Sequence, residues 1–556
     1  MKPSKLVVVM LLAFLFVLVS LPPNVGVNAE SRTVVVPDDY GSVQEAIDNA
    51  QVGDTVYVKH GVYHENLSVN KTLSLVGENA ETTVIDGGGV ETAVLIGADG
   101  VTVSGFKVIN GDSPPPSHYM DFDKPHGIHL LHVSGCIVVD NIVDYTGYGI
   151  WLYEAHGNQV TGNNCSYNWD GILFEGSYSN HVSANRFTDN RYGVRFYAST
   201  NNTLENNKIT DNGDDLLVSV DSFVNNVASS NTVNGKPVCY WVNQVNRTVP
   251  SNVATVFLVN CTQIVVENLQ IQNNHNAIVL VDTNSCTIKN TQVSGNYFGI
   301  RLYNSSNNLI TQNNITNNGY SDYYNYYGGL FLDYSSNNTV SKNVFTGNSY
   351  GVKLTHSSSN TITENDMQTT LNEAIAIFDG CKHNSITYNN IANNRGGIWF
   401  QIPTAENDVY YSNHNRVTNN NIDSNTDWGI LLQNVVENVF SENNITNNGK
   451  GVRLGAKENS NLFYLNNFIN NTVQVEPWGV ATWNNTETGN YWNDYTGTDS
   501  NGDGIGDTPY IIDENNQDNH PIMEPAIIPE FPTYFILPAV MMAVLVAALL
   551  KKRVNQ

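Results

Sequence analysis

Charge is scarce in this sequence, and positive charge scarcest. Only 14% of its 556 residues are charged, and 26 Lys and Arg face 52 Asp and Glu. The formal charge of −26 argues against nucleic acid as a partner, because phosphate binding needs clustered Lys and Arg. It suits a soluble, salt-tolerant or cation-binding surface. Cysteine is scarce too: residues 136, 165, 239, 261, 286 and 381 form no CxxC pair and no tight framework. That spacing predicts no disulfide, even outside the cell where disulfides persist, and reads as small buried side chains. Long apolar runs are missing from the body and occur only at the two ends.

Those ends locate the protein. Lys2 and Lys5 precede "LVVVMLLAFLFVLVSL", and the small-residue exit "VNA" closes at Ala29. This order of charge, apolar core and small residues predicts a secretory signal over 1–29, the alternative being a retained anchor. At 533–550, "TYFILPAVMMAVLVAALL" supplies 18 mostly apolar residues ahead of Lys551, Lys552 and Arg553. Such a stretch can span a bilayer as a C-terminal transmembrane helix with the basic cluster inside, leaving the body extracellular. With "PEFPT" at 529–533, this end resembles the PEF-type sorting tails of archaeal surface proteins. The resemblance implies removal of the tail by a transpeptidase-like enzyme.

What the body has in abundance is asparagine, in a repeat. "GIHLLHVSGC" at 127, "GIWLYEAHGN" at 149, "GILFEGSYSN" at 171 and "GVRFYASTNN" at 193 step by 22 residues, and the pattern resumes from 277 to 451. A period of this length signals a solenoid. Within a unit, Leu330 and Leu332 alternate with Phe331 and Asp333, the two-residue period of a strand. Triplets such as Asn338/Asn343/Asn348 and Asn202/Asn207/Asn212 then fall five apart. A helix cannot use a five-residue apolar period, whereas three short strands joined by tight corners can. Coils then stack at the strand spacing of ~4.8 Å. Asn tolerates the left-handed backbone of corners, and its amide can bond the Asn one coil away. The N-x-S/T sequons that result, such as Asn314, are glycosylation acceptors by pattern.

The opening, "SVQEAIDNAQVGDTVYVKHGVYHENLSVNKTLSLVGENAETTVIDG" (42–87), starts with a short amphipathic helix, Val43 to Ala50, suited to capping the stack. It resembles the first coils of pectin-lyase-like proteins. The 22-residue units, and "NTVNGKPVCYWVNQ" at 231–244, resemble the NosD and carbohydrate-binding/sugar-hydrolase repeats. The resemblance covers roughly 32–520 and implies an all-β, right-handed parallel β-helix. The expected organisation is a cap with first coils (30–110), repeats (111–222), an interruption (223–260), repeats (261–489), an acidic segment (490–526) and the tail (527–556).

In the strand after each Gly, the first and third side chains should point inward and the second and fourth outward. Stacking then builds one long external wall of aromatics and charges, including Trp151, Tyr153, Tyr197, Arg301, Tyr303, Phe331 and Trp399. Such a wall suits an extended glycan, since sugar rings stack on aromatic faces while hydroxyls bond Arg, Asp and Glu. Two long inserts, 111–126 and 320–328, enter at the corner before this face, and a third, 403–414, at another. Asp170, Glu175, Arg195 and Asp214 fall on adjacent coils of the wall, where paired carboxylates and an Arg could act on an acidic sugar. The "GRPW"-like segment of pectin methylesterases and the polygalacturonase set are both absent.

Two stretches invite metal. "DSNGDGIGD" (499–507) places Asp499, Asn501, Asp503, the Ile505 carbonyl and Asp507 at spacings that suit Ca²⁺, although Tyr510 stands where an EF-hand has Glu. It looks closer to thrombospondin type 3 repeats, with a structural role next to the tether. His126, His129 and His132 form an H-x₂-H-x₂-H run near His118. The resemblance to NosD, linked to copper-site assembly in nitrous oxide reductase, suggests Cu at His126 and His129, although 129 and 132 face opposite sides of a strand. The leading expectation is a surface-tethered β-helix binding polysaccharide or another envelope polymer. Its rivals are a polysaccharide lyase or hydrolase, a copper-site assembly factor and an adhesion stalk.

Overall fold

A computed structural model describes residues 31–110, 125–219, 221–319, 327–401, 412–455 and 460–528. The expected signal, sorting tail and membrane span, and His118, lie outside the described residues, as do the central parts of the three inserts. No helix among the described residues is long and apolar enough to cross a membrane.

The body is a parallel β-solenoid. One coil comprises Tyr148–Tyr153, Gln159–Thr161 and Asn164–Ser166, and the next begins at Asp170–Glu175. Every strand pairs in parallel with its equivalent one coil on: Ile150 with Ile172, Val160 with Val182, Cys165 with Phe187. The longer steps at 299→329 and 397→429 leave this register intact, with Ile300 beside Leu330 and Ile398 beside Ile430. Alternate side chains fill the interior, where Ile172, Phe174, Val182 and Phe187 are fully buried.

The asparagines make the predicted ladder. Asn343 Oδ1 accepts from the backbone N and Nδ2 of Asn313, both at 2.9 Å, and Asn343 Nδ2 donates to Ile310 O at 2.9 Å and Asn365 Oδ1 at 3.0 Å. The chain of amides continues through Asn389, Asn420, Asn443 and Asn466 to Asn490. The corner conformation itself falls one residue earlier than expected: Asn337 and Lys342, not Asn338 and Asn343, adopt positive φ. Ladder asparagines are thus selected by hydrogen bonding, because a buried amide must satisfy both its ends. Cys136 and Cys286 take ladder positions, donating backbone N–H to Asn158 and Asn308, and all six cysteines are free and buried.

The ends are closed. The helix Val43–Asn49, capped by Ser42, buries Val43, Ala46 and Ile47 on the first coil. At the other end Trp483 stacks on Phe463, and Trp492 lies between Phe468 and Tyr510. Buried Asp518 accepts from Trp492 Nε1 at 2.9 Å.

The interruption reorients the solenoid. Strand Thr232–Val233 turns through Asn234-Gly235 into Lys236–Val242, an antiparallel hairpin, and Lys236–Val242 then starts a new parallel sheet with Thr255–Val259. The post-glycine strands therefore form two sheets, one ending at Asp214–Val218 and one beginning at Lys236–Val242. Two cores result. Phe257, Val259, Val279 and Val281, on the outer face of the second sheet, pack into the core of the first half with Val238 and Tyr240. This corrects the expected single wall: the second half's first coils use their outer face to close the first half's open end.

Replacing Asn343 by Ala strips four hydrogen bonds from buried groups. The expected loss is about 3 kcal/mol or more, at ~1–3 kcal/mol per orphaned group, with hydrogen exchange accelerating first around 308–318 and 360–370. A change within ~0.5 kcal/mol, as for a surface substitution, would show that the ladder contributes no stability.

Candidate functional site

The outer face of the first post-glycine sheet gathers the strongest cluster of polar and aromatic groups. Strand register stacks His129, Trp151, Leu173 and Arg195 in one column, Tyr153, Glu175 and Tyr197 in a second, and Tyr148, Asp170, Tyr192 and Asp214 in a third. Trp151 lies flat on His129 at 4.1 Å between ring centroids and edge-on to Tyr148 and Tyr153. Its Nε1 donates to Glu175 Oε2 at 3.2 Å, so the indole is held in one orientation. Tyr197, 57% exposed, stands at the open edge.

Arg195 crosses diagonally from its own column to Asp170, donating from Nη2 to Oδ2 at 2.5 Å. Its guanidinium lies over Tyr192 at 4.9 Å and Tyr148 at 5.7 Å, an attraction between cation and ring quadrupole. Asp170 is fully buried, and its Oδ1 has no hydrogen-bond partner. Burial pushes its carboxyl up to about 7 in spite of Arg195. Burial also works against the Arg195 charge, but Asp170, Tyr148 and Tyr192 more than offset it. Beyond Tyr192, Arg191 covers Trp169 at 5.1 Å.

Of the four residues expected to be catalytic, which lie on adjacent coils, Asp170 and Arg195 touch while Glu175 and Asp214 take other partners. Asp170 holds Arg195, Glu175 at the far end of the same strand holds Trp151, and Asp214 pairs with His275 Nδ1 at 3.1 Å. The last pair, absent from the sequence-based expectation, joins the two halves; only the hairpin brings 214 and 275 together.

The expected binding residues divide likewise. Trp151, Tyr153 and Tyr197 share the first sheet, while Arg301, Tyr303, Phe331 and Trp399 lie on the second. Phe331 is 3% exposed, packed with Tyr350, Ala376, Phe298 and Phe378, so it is not a surface platform. Tyr303 packs against the first half's core. Arg301 covers Phe298 and lies 3.6 Å from Asp333, and Trp399 Nε1 donates to Gln433 at 2.9 Å. Sequence reasoning also missed the buried carboxyl of Glu373, pushed up to about 7 by burial. Its signal was present, a carboxylate in the column that precedes each glycine, but Ala374 replaces the marker glycine of that coil.

His126 and His129 do come together, with ring centroids 6.1 Å apart. Burial drives their imidazoles down to about 4 and about 3, so both are neutral at physiological pH, as metal ligands must be. However, His126 Nδ1 accepts the Tyr148 N–H at 3.4 Å, its ring stacks on Tyr148, and His132 turns away to Glu154 at 3.0 Å. In the acidic loop, Asp499 accepts from the backbone N–H groups of Gly502, Asp503 and Gly504, Asn501 from that of Asp503, Asp503 from that of Ile505, and Asp507 from Ser500. Among the described residues no three His, Cys, Asp or Glu side chains gather as metal ligands would.

The profile of the family described as "Periplasmic copper-binding protein (NosD)" matches residues 47–248 and 404–497, together more than half of the chain. That of "Right handed beta helix region" matches residues 254–401. Among curated relatives, a "Probable ABC transporter binding protein NosD" of Stutzerimonas stutzeri is 33% identical over 88 residues, 16% of this chain and 20% of that protein. A "Cell surface glycoprotein" of Methanothermus fervidus is 29% identical over 135 residues, 24% of this chain and 20% of that protein. The chain thus spans about one fifth of the length of these relatives. Similar solved structures include the mannuronan C-5 epimerase AlgE4 A-module of Azotobacter vinelandii, at 15% identity and TM-score 0.23, covering 76% of this chain and 95% of that one. A family 28 exopolygalacturonase of Yersinia enterocolitica matches at 11% identity and TM-score 0.30, covering 70% and 79%. With its in-register coils and this profile match, the chain belongs to the NosD family of right-handed β-helix proteins.

Proposed function

We propose that this protein is a cell-surface β-helix that binds polysaccharide on the outer face of its first post-glycine sheet. The observation that carries the reading is the Trp151 and Arg195 pair. Each is a large planar side chain, and each is fixed by a carboxylate of the next or preceding coil, Glu175 or Asp170. Groups held in one geometry lose little entropy on binding. The indole offers a stacking surface, and the guanidinium offers donors to hydroxyls or to a sugar carboxylate. The name of the Methanothermus fervidus relative and the two expected terminal signals support a surface location, with the tail as tether.

Cleavage is less well supported. A hydrolase needs two carboxyls flanking one bond, whereas Asp170, Glu175 and Asp214 serve three different partners and Asp170 is fully buried.

Two outcomes are expected. On a glycan array followed by titration calorimetry, Trp151→Ala and Arg195→Ala each weaken the best saccharide by roughly tenfold, about 1.4 kcal/mol, without shortening it. Unchanged affinity in both variants removes this face as the binding site, and chain shortening by the wild type restores the enzymatic reading. The second concerns pH. Asp170 holds its proton in the fold up to about 7, against 3.8 ordinarily, so the folded state binds more protons than the unfolded between those values. Its contribution to stability is complete below the lower value and is lost as pH rises through the upper. The wild-type melting temperature should therefore fall relative to that of Asp170→Asn between pH 5 and 8; parallel curves would refute the raised carboxyl.

A further inference from the structure

The second post-glycine sheet contains a group that nothing above uses. Glu373 opens the strand Glu373–Phe378 as Asp170 opens Asp170–Glu175. It is 5% exposed, and its Oε2 has no hydrogen-bond partner. Along the same column the next residue is Gly396 and the one after is Trp428. The glycine leaves a gap that both larger side chains enter: a Cβ on Gly396 would lie 2.7 Å from Trp428 Nε1 and 3.1 Å from Glu373 Cγ. Trp428 Nε1 is buried there and is likewise unpartnered. Leaving such buried groups unpaired is costly, and native proteins rarely leave them so without a reason.

The surroundings narrow the ligand. Arg395, paired with Asp427 at 2.9 Å, flanks the gap. The Lys353 ammonium lies over Phe378, Tyr350 and Phe331 at 4.9, 5.3 and 5.6 Å. Both cations act on the Glu373 carboxyl, which disfavours a cationic ligand. Burial raises that carboxyl to about 7, and in its protonated form it donates as well as accepts. On the same face Trp399 meets Phe378 edge-on at 4.8 Å, giving apolar surface for a ring.

We propose that Glu373 and Trp428 form a second saccharide subsite, in which the carboxyl and the indole N–H bind sugar hydroxyls, with the aromatic surface of Phe378 and Trp399 farther along the same sheet. The proposal rests on the reading of the protein as a polysaccharide binder and extends it. The two sites lie on post-glycine sheets that are not continuous with each other, so each half grips its own length of polymer. Linked sites raise avidity without new contacts.

The test uses the full chain, titrated with neutral and uronic-acid hexasaccharides, in wild-type form and as Glu373→Gln, Trp428→Phe and Trp151→Ala. Glu373→Gln keeps side-chain shape, Trp428→Phe keeps an aromatic ring while removing the N–H, and melting curves confirm the fold. The expected result is two classes of site in the wild type. Glu373→Gln and Trp428→Phe each weaken one class by roughly tenfold or more, and Trp151→Ala weakens the other. Wild-type binding in both Glu373→Gln and Trp428→Phe, the result if the gap holds only an ordered water, overturns the subsite and leaves the Trp151 reading standing. Persistence of both classes in Trp151→Ala, with one lost in Glu373→Gln, overturns the Trp151 reading alone. No saccharide binding by the wild type overturns both.

Discussion

The amide ladder sets the geometry of this molecule. Most ladder asparagines accept from the coil before and donate to the coil after, and so bolt successive turns in one register. Asn313, Asn343 and Asn365 make this chain across a 30-residue step followed by a 22-residue step. The strand register is therefore the same on either side of an insertion. Buried in the core wall, these amides are costly to leave unpaired, which penalises any slip of register. In a strand, a slip of one residue would exchange the inner and outer faces.

Register in turn decides which side chains become neighbours. Residues 22 apart in sequence are brought to the strand spacing of ~4.8 Å, so His129 meets Trp151, and Trp151 meets Glu175 one coil on. Diagonal contacts follow from the same lattice, as when Arg195 reaches back to Asp170. A flat outer face would not ordinarily desolvate a carboxyl. Rings stacked on either side, Tyr148 and Tyr192 in the same column, supply the low-dielectric surroundings that hold Asp170 protonated so far above its ordinary range.

The hairpin at 232–242 breaks the symmetry of the array. By starting a new sheet it spends part of the second half's outer face on covering the first half, which is why Val279 is buried although it holds in the second sheet the repeat position that Trp151 holds in the first. The same turn creates the buried Asp214–His275 pair and leaves two separate polar and aromatic faces. Each face has a buried carboxyl pushed up to about 7 at the head of a strand, Asp170 or Glu373.

Much of this was legible in the letters. The 22-residue step, the two-residue apolar alternation and the five-residue asparagine spacing are local, covalent facts, and together they admit only a stack of three-stranded coils; the capping helix and buried cysteines followed from the same pattern. The aromatic column at Trp151 and Tyr153 was legible because stacking follows directly from the period. What the sequence could not determine was which outward residues are covered. Burial of Phe331, partnering of Asp214, protonation of Asp170 and the isolation of Glu373 depend on side chains from other coils and on the direction the chain takes after residue 232. Those are properties of distances through space, and only the tertiary structure, by closing one half against the other, decided them.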